Sequence, residues 1–380
     1  MEVLRKKQGK NGEFTGVVLD KKEMRMVMAE LRHRMRERTS LVNMTCHKYR
    51  NKLLHLYAKW LGVEESWQRV DPLLHVNPDI LVNRKQRLVW CKVPKVASTS
   101  FVHGLLRVTG GGDLIEDKIF SRSNLHIILR RMMPYPRPGE DIGKFIAFMA
   151  VRHPFQRILS AYRDKFMDRS EVVQFKKFKE LYGLSVIAKY RKSDPPVEYR
   201  DIPTFLEFVQ YLISTPIWEY NEHWRPYFLT CSACHHRYDA ILHLETLQDD
   251  SEFLVNITGF RELAPRHVHI TRSKSGPEIP AGINVNVSKG NKQSKHKKIK
   301  QLDLKKMMHS RHGKVNKNLV DEPLLMHHQE EEDSAFIKNI EAKFFSEITL
   351  QHLLELHKIF LIDFEMFGYN LSPYDQYVCD

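Results

Sequence analysis

Apolar residues at Met24, Val27, Met28, Leu31 and Met35 recur three and four apart, with Arg and Glu on the opposite face. That spacing predicts an amphipathic helix over about 21–61. Its stripe suits a packing or stem helix, and its basic face would also suit a membrane surface. Further on, 87–93 (RLVWCKV) is a short apolar run of strand type. The loop Pro94-Lys95-Val96-Ala97-Ser98-Thr99-Ser100 follows, then a helical pattern over 101–108, closed by Gly110, Gly111 and Gly112. The unit repeats. The run 144–151 (KFIAFMAV) reads as a strand, Arg152-His153-Pro154-Phe155 as a loop, and 156–166 as a helix with Ile158, Leu159 and Tyr162 on one face. A third strand is expected at 238–244, a helix capped by Thr204 at 204–212, and further helix from about 334 with an apolar stripe at 350–360. Strands alternating with helices predict an α/β fold with a mostly parallel central sheet flanked by helices.

Between these elements the pattern breaks twice. The stretch 71–78 is a loop with two prolines, and over 276–318 periodicity gives way to Gly, Pro, Ser, Asn and Lys. The expected organisation is a helical N-terminal extension, 1–78, and one large domain, 79–380, carrying a basic, disordered insertion at about 276–333. The insertion explains part of the formal net charge of +14. From Lys289 to Lys317 there is a single acid, Asp303, and no aromatic residue. A basic balance points to an acidic partner: a nucleic acid, an anionic membrane, an acidic glycan or a nucleotide. A basic nucleic-acid-binding protein would interleave aromatics among its cations, and this segment does not. The longest apolar run, around 145–151, is too short to span a bilayer, and the basic N-terminus is no secretory signal. Sequons stand at Asn43, Asn256, Asn286 and Asn370. Of five cysteines, Cys231 and Cys234 form a C-x-x-C. A zinc site would need two more ligands, and His235 and His236 follow too closely for finger spacing. No metal is therefore expected. The pair reads as a short disulfide or a reduced pair, and an odd count leaves one thiol over.

The chemistry concentrates in the two strand-to-helix loops. A loop leading into a helix N-terminus is a natural anion site, because backbone N–H groups and the helix dipole face the ligand. Lys95 adds a mobile cation, and Ser98, Thr99 and Ser100 add hydroxyls. The Walker spacing is absent, as is an aspartate placed to hold magnesium, which weighs against a nucleotide kinase. The second loop offers Arg152 at a strand end and Ser160 eight residues on, with Arg157 and Arg163 nearby. Arginine grips phosphate with a two-pronged donor set. Two anion sites at neighbouring strand ends suit a nucleotide with two separated phosphate groups.

The segment Cys91-Lys92-Val93-Pro94-Lys95-Val96-Ala97-Ser98-Thr99 resembles the 5′-phosphosulfate loop of Golgi carbohydrate sulfotransferases, in the group of the chondroitin and dermatan 4-O-sulfotransferases and the HNK-1 sulfotransferase. Residues 151–166 resemble that group's 3′-phosphate motif. Asn221-Glu222-His223-Trp224 with Cys231, Cys234, Tyr238-Asp239 and Leu244-Glu245-Thr246-Leu247 is similar to its central block, and 363–369 to its C-terminal signature. The resemblance implies a P-loop-like nucleotide-binding fold and transfer of a sulfuryl group from 3′-phosphoadenosine-5′-phosphosulfate (PAPS) to a glycan hydroxyl by in-line displacement, releasing PAP without a metal. It implies that Lys95 and the stretch Val96, Ala97, Ser98, Thr99 and Ser100 hold the 5′-phosphosulfate. Arg152 and Ser160 would hold the 3′-phosphate. His223 is the candidate base, since imidazole titrates near neutral pH; His153 is a second candidate. The family usually has Cys at position 98 and Asn-Trp at 100–101. Cys46 with Cys91 and Cys231 with Cys234 are candidate disulfides. The resemblance further implies a Golgi-luminal location and an acidic glycan acceptor; the family's N-terminal membrane anchor is not expected in this chain, and no nucleic-acid partner is expected.

Overall fold

Apolar runs flanked by loop signals become the central sheet. The computed structural model describes residues 4–8, 14–18, 20–62, 79–116, 122–137, 139–169, 172–264 and 337–378. The expected loop at 71–78 and basic insertion at 276–333 lie outside them. In chain order the strands are β1 (Leu4–Gln8), β2 (Phe14–Val18), β3 (Ile80–Asn83), β4 (Leu88–Cys91), β5 (Ile146–Val151) and β6 (Ala240–His243). The helices are α1 (Lys21–Lys48), α2 (Arg50–Leu61), α3 (Ser98–Val108), α4 (Asp113–Glu116), α5 (Arg122–Met132), α6 (Pro154–Tyr162), α7 (Val172–Phe178), α8 (Leu184–Tyr190), α9 (Phe205–Ser214), α10 (Tyr227–Cys231) and α11 (Leu247–Thr258). They close with α12 (337–345) and α13 (Leu350–Phe367). No helix among the described residues is long and apolar enough to cross a membrane.

Strands β3-β4-β5-β6 form one sheet in that order. β4, β5 and β6 run parallel, with Leu88 opposite Ile146 and Phe148 opposite Ala240. β3 pairs antiparallel to β4 at the edge, and β1 and β2 form a separate antiparallel hairpin. The sheet is thus mostly parallel and flanked by helices, as the alternation implied. β4 is buried along its whole length and β5 from its second residue on, as expected for strands covered on both faces. A second core is built from Phe155, Tyr162, Phe166, Phe205, Phe208, Trp224 and Phe345; it packs α6, α9, α12 and α13 together.

Two helices differ from the sequence expectation, the second at both ends. The first helix divides at Tyr49, whose hydroxyl donates to Glu365 on α13. Its apolar stripe (Val27, Leu31, Met35) is buried. Arg38 crosses from α1 to the Ile241 carbonyl at 2.7 Å and to Asp250 at 2.6 Å, so this face packs on β6 and α11. The helix after β5 starts two residues early: proline costs nothing at a first helical position, and the His153 ring accepts the Phe155 N–H. Its far end widens into a π turn, Arg163–Met167, closed by Asp168 N–H donating to the Arg163 carbonyl at 2.8 Å.

Candidate active site

The C-terminal ends of β4 and β5 lie side by side because the strands are parallel and adjacent, and each feeds a loop into a helix. In open parallel sheets this edge is where ligands bind. After β4 the chain curls through left-handed backbone at Lys95 (φ 71°) and Ala97 (φ 59°). Neither is glycine, so the turn is held against a backbone preference, and such strain gathers at functional sites. The first backbone bond of α3 runs from Phe101 N–H to the Ala97 carbonyl at 3.2 Å. Ser98, Thr99 and Ser100 therefore form the first turn, where the dipole is positive. Lys95 is nearly buried, and its Nζ lies 3.4 Å from Asp164 Oδ2, which Lys165 also approaches at 2.9 Å. Burial pulls the Lys95 pKa down, with Asp164 opposing and the fields of Lys165 and Arg152 adding to it. Burial works against the Asp164 carboxylate, but the two lysines hold its pKa below the usual range.

Arg152 leaves β5 with its backbone clamped. Its N–H donates to Tyr227 Oη and its carbonyl accepts from the same hydroxyl, both at 2.9 Å. The backbone N–H groups of Tyr227 and Phe228 donate to buried Asp363 at 2.8 and 3.1 Å. Burial raises the Asp363 pKa to about 7 despite those two bonds. The Arg152 side chain donates from Nε to Gln156 at 3.1 Å and makes no ion pair among the described residues. Ser160 lies half-buried on α6, the helix that this loop starts.

His223 sits in the loop before α10. Its Nδ1 is 2.6 Å from Asn221 Oδ1, and the Phe178 ring meets it edge-on at 5.4 Å. Burial, then the fields of Lys165, Lys95, Lys92 and Arg157, lower its pKa well below the usual histidine value. The imidazole is neutral at neutral pH, the form a base needs. Lys95, Arg152 and His223 are thus brought within electrostatic reach: Lys95 feels Arg152, and His223 feels Lys95. Val96, Ser98, Thr99, Ser100 and Ser160 are placed by their elements, in or beside the two loops. His153 is corrected. Its Nε2 meets the Asn370 carbonyl at 2.9 Å and its Nδ1 accepts the Phe155 N–H at 3.3 Å. Both nitrogens are engaged and burial pulls its pKa to about 4, so it is a buried cap rather than a base.

Arg157, which the sequence places only near the second loop, has a larger part in the site. It is fully buried and donates to three carbonyls: Pro94 at 3.2 Å, Glu222 at 2.9 Å and Arg225 at 2.7 Å. Its guanidinium lies 4.6 Å from the Tyr227 ring centre. It straps the Lys95 loop to the His223 loop. The available signal was its place between Phe155 and Ile158 on an otherwise apolar helix face.

The candidate disulfides are also corrected. Cys46 pairs with Cys234, and Cys91 with Cys231. Ser232 turns through left-handed backbone (φ 47°), which separates the two C-x-x-C sulfurs. One reaches α1 and the other β4.

A model of the sulfotransferase family matches residues 78–312. The chain is 31% identical over 192 residues to carbohydrate sulfotransferase 14 of Danio rerio, covering 50% of this chain and 49% of that protein. To carbohydrate sulfotransferase 11 of Rattus norvegicus it is 30% identical over 189 residues, 47% of this chain and 53% of the other. To carbohydrate sulfotransferase 10 of Xenopus laevis it is 27% identical over 239 residues, 60% and 63%. The chain thus spans about half the length of the first two relatives. No solved structure matches.

Proposed function

The chain belongs to the sulfotransferase family, and from that premise we propose that it moves a sulfuryl group from PAPS to a hydroxyl of a glycan. The observation that carries this reading is the pair of cationic loops at the ends of adjacent parallel strands, Lys95 after β4 and Arg152 after β5. Their charge is under-compensated. Lys95 and Lys165 share one carboxylate, Asp164, and neither Arg152 nor buried Arg157 forms an ion pair among the described residues. A surplus of partly desolvated positive charge is costly unless an anion arrives. A nucleotide with two separated anionic groups supplies that charge at both loops.

In this mechanism Arg152 and Ser160 bind the 3′-phosphate. Lys95 and the first turn of α3, from Val96 through Ser100, bind the 5′-phosphosulfate. His223 takes the proton of the acceptor hydroxyl. The new bond forms between that oxygen and sulfur while the sulfur bond to the bridging oxygen breaks, and PAP departs. Lys95 offsets the charge that grows on the bridging oxygen. The proton ends on His223, and the donor's negative charge opposes the cationic field that otherwise weakens the ring as a base. Two disulfides suit an oxidising compartment such as the Golgi lumen, and the basic chain would attract an acidic glycan. The competing reading, a non-catalytic nucleic-acid or polyanion binder, rests on the net charge of +14 and on the segment 289–317, which lies outside the described residues, and the comparisons do not support it.

The test is transfer of label from radiolabelled PAPS to chondroitin and dermatan chains. Label on a glycan, abolished by Lys95→Ala in a folded protein, is the expected result. A protein that binds PAP yet labels neither these chains nor a wider glycan panel would contradict the transferase reading.

A further inference from the structure

We propose that Asn221 is a positioning residue that fixes the tautomer of His223, so that Nε2 is the proton acceptor, and that Tyr182 in turn fixes the Asn221 amide. The inference rests on the reading of His223 as the base. Asn221 Oδ1 lies 2.6 Å from His223 Nδ1 and 3.1 Å from the His223 backbone nitrogen. A backbone N–H can only donate, so the amide atom facing it is the oxygen. A flipped amide would set its NH₂ against that N–H. The other end of the amide donates from Nδ2 to Tyr182 Oη at 3.1 Å. With the amide so fixed, Nδ1 of a neutral imidazole must carry the proton, and the lone pair is on Nε2. The same chain segment supplies the remaining constraint. Phe178 meets the imidazole edge-on and stacks on Tyr182 at 5.7 Å.

An amide suits this place better than a carboxylate. The charged groups around the ring are Lys165 from the π turn, Lys95 and Lys92 from the loop after β4, and Arg157 from α6; Glu222 and Tyr182 flank them. All the cations favour the neutral ring. A carboxylate at 221 would pair with imidazolium and oppose them, whereas an amide orients the ring without charging it. The logic is that of a base held by a third group.

Long-range proton–nitrogen NMR of the histidine rings tests this in the full chain with PAP added. The His223 signals are assigned by their loss in His223→Gln. The expected wild-type spectrum has the proton on Nδ1 and a free lone pair on Nε2. Asn221→Ala should move the ring toward the Nε2–H form that an unconstrained histidine side chain favours, and Tyr182→Phe should do so in part. Asn221→Asp keeps an oxygen at the same place, so it retains the loop should the alanine variant fail to fold. It should raise the His223 pKa by about one pH unit or more. An Nε2–H ring in the wild type, or a ring with unchanged tautomer and pKa in Asn221→Ala and Asn221→Asp, would overturn the proposal. Absence of PAP binding by the wild type would sink the donor reading instead, and the tautomer result would still decide the role of Asn221.

Discussion

A buried guanidinium without a carboxylate beside it joins the two halves of the site. Arg157 reaches Pro94 in one loop and Glu222 and Arg225 in the other, a span that only its planar fork of donors covers. Lysine has one nitrogen and would leave at least one of these buried carbonyls unbonded. Hydrogen bonds to a charged group are worth roughly 1.5–3 kcal/mol each. Arg157→Lys should therefore lower the unfolding free energy by about 2 kcal/mol or more in urea titration, and a variant as stable as the wild type would show that the strap is dispensable. Individual residues were unevenly legible. Lys95, Arg152 and His223 stood out because a charged or titratable side chain follows a strand or sits in a distinctive motif. Arg157 and Asn221 did not, since their roles depend on which loops the fold brings to them. His153 misled for the same reason: a histidine two residues from a strand end looks free until the Asn370 carbonyl arrives from the other end of the chain.

Elements were read well where the signal is local. The strand–loop–helix units at β4–α3 and β5–α6 follow from apolar runs ended by Pro, Lys and Arg. The start of α9 follows from its capping box, in which the Thr204 hydroxyl accepts from Glu207 N–H at 3.2 Å and the Glu207 carboxylate accepts from Thr204 N–H at 2.8 Å. What escaped has non-local causes. The edge strand β3 is four residues long and is defined by its partner β4. The π turn Arg163–Met167 leaves no periodic trace, yet adjacent residues Asp164 and Lys165 both take part in the charge cluster around Lys95 there. Inserted π turns of this kind recur at functional sites. Disulfide partners escaped because spacing along the chain says nothing of which helix lies opposite.

At the scale of the whole molecule, buried neutral histidines make stability depend on pH. Burial lowers the pKa of His126, His153 and His236 to about 4 and of His243 to about 3, from an ordinary value of 6.5. A folded-state pKa below the unfolded value means that the unfolded chain binds protons first as the pH falls. The stabilisation is complete above about 6.5 and is lost as pH drops toward the folded values. Buried Asp363 and Glu347, raised to about 7, bind protons first in the folded state and oppose the rings over the same window. Four histidines against two carboxyls leave a net loss, so the melting temperature should decline between about pH 6.5 and 4; a profile that is flat or rises with acid would contradict that balance. The disulfides act at the same scale: Cys46–Cys234 ties α1 to the turn after α10, and Cys91–Cys231 ties β4 to α10.

If the two cationic loops bind one nucleotide, PAP stabilises the wild type through both of them, and a thermal-shift titration with PAP on the wild type and Arg152→Ala reads this out. A ligand at a hundred times its dissociation constant stabilises the folded state by about 2.7 kcal/mol, enough to raise the melting temperature by a few degrees in a chain of this size. Saturable stabilisation of the wild type, lost in a folded Arg152→Ala variant, is the expected result. No shift in a well-folded wild type, or an equal shift in the variant, would contradict it.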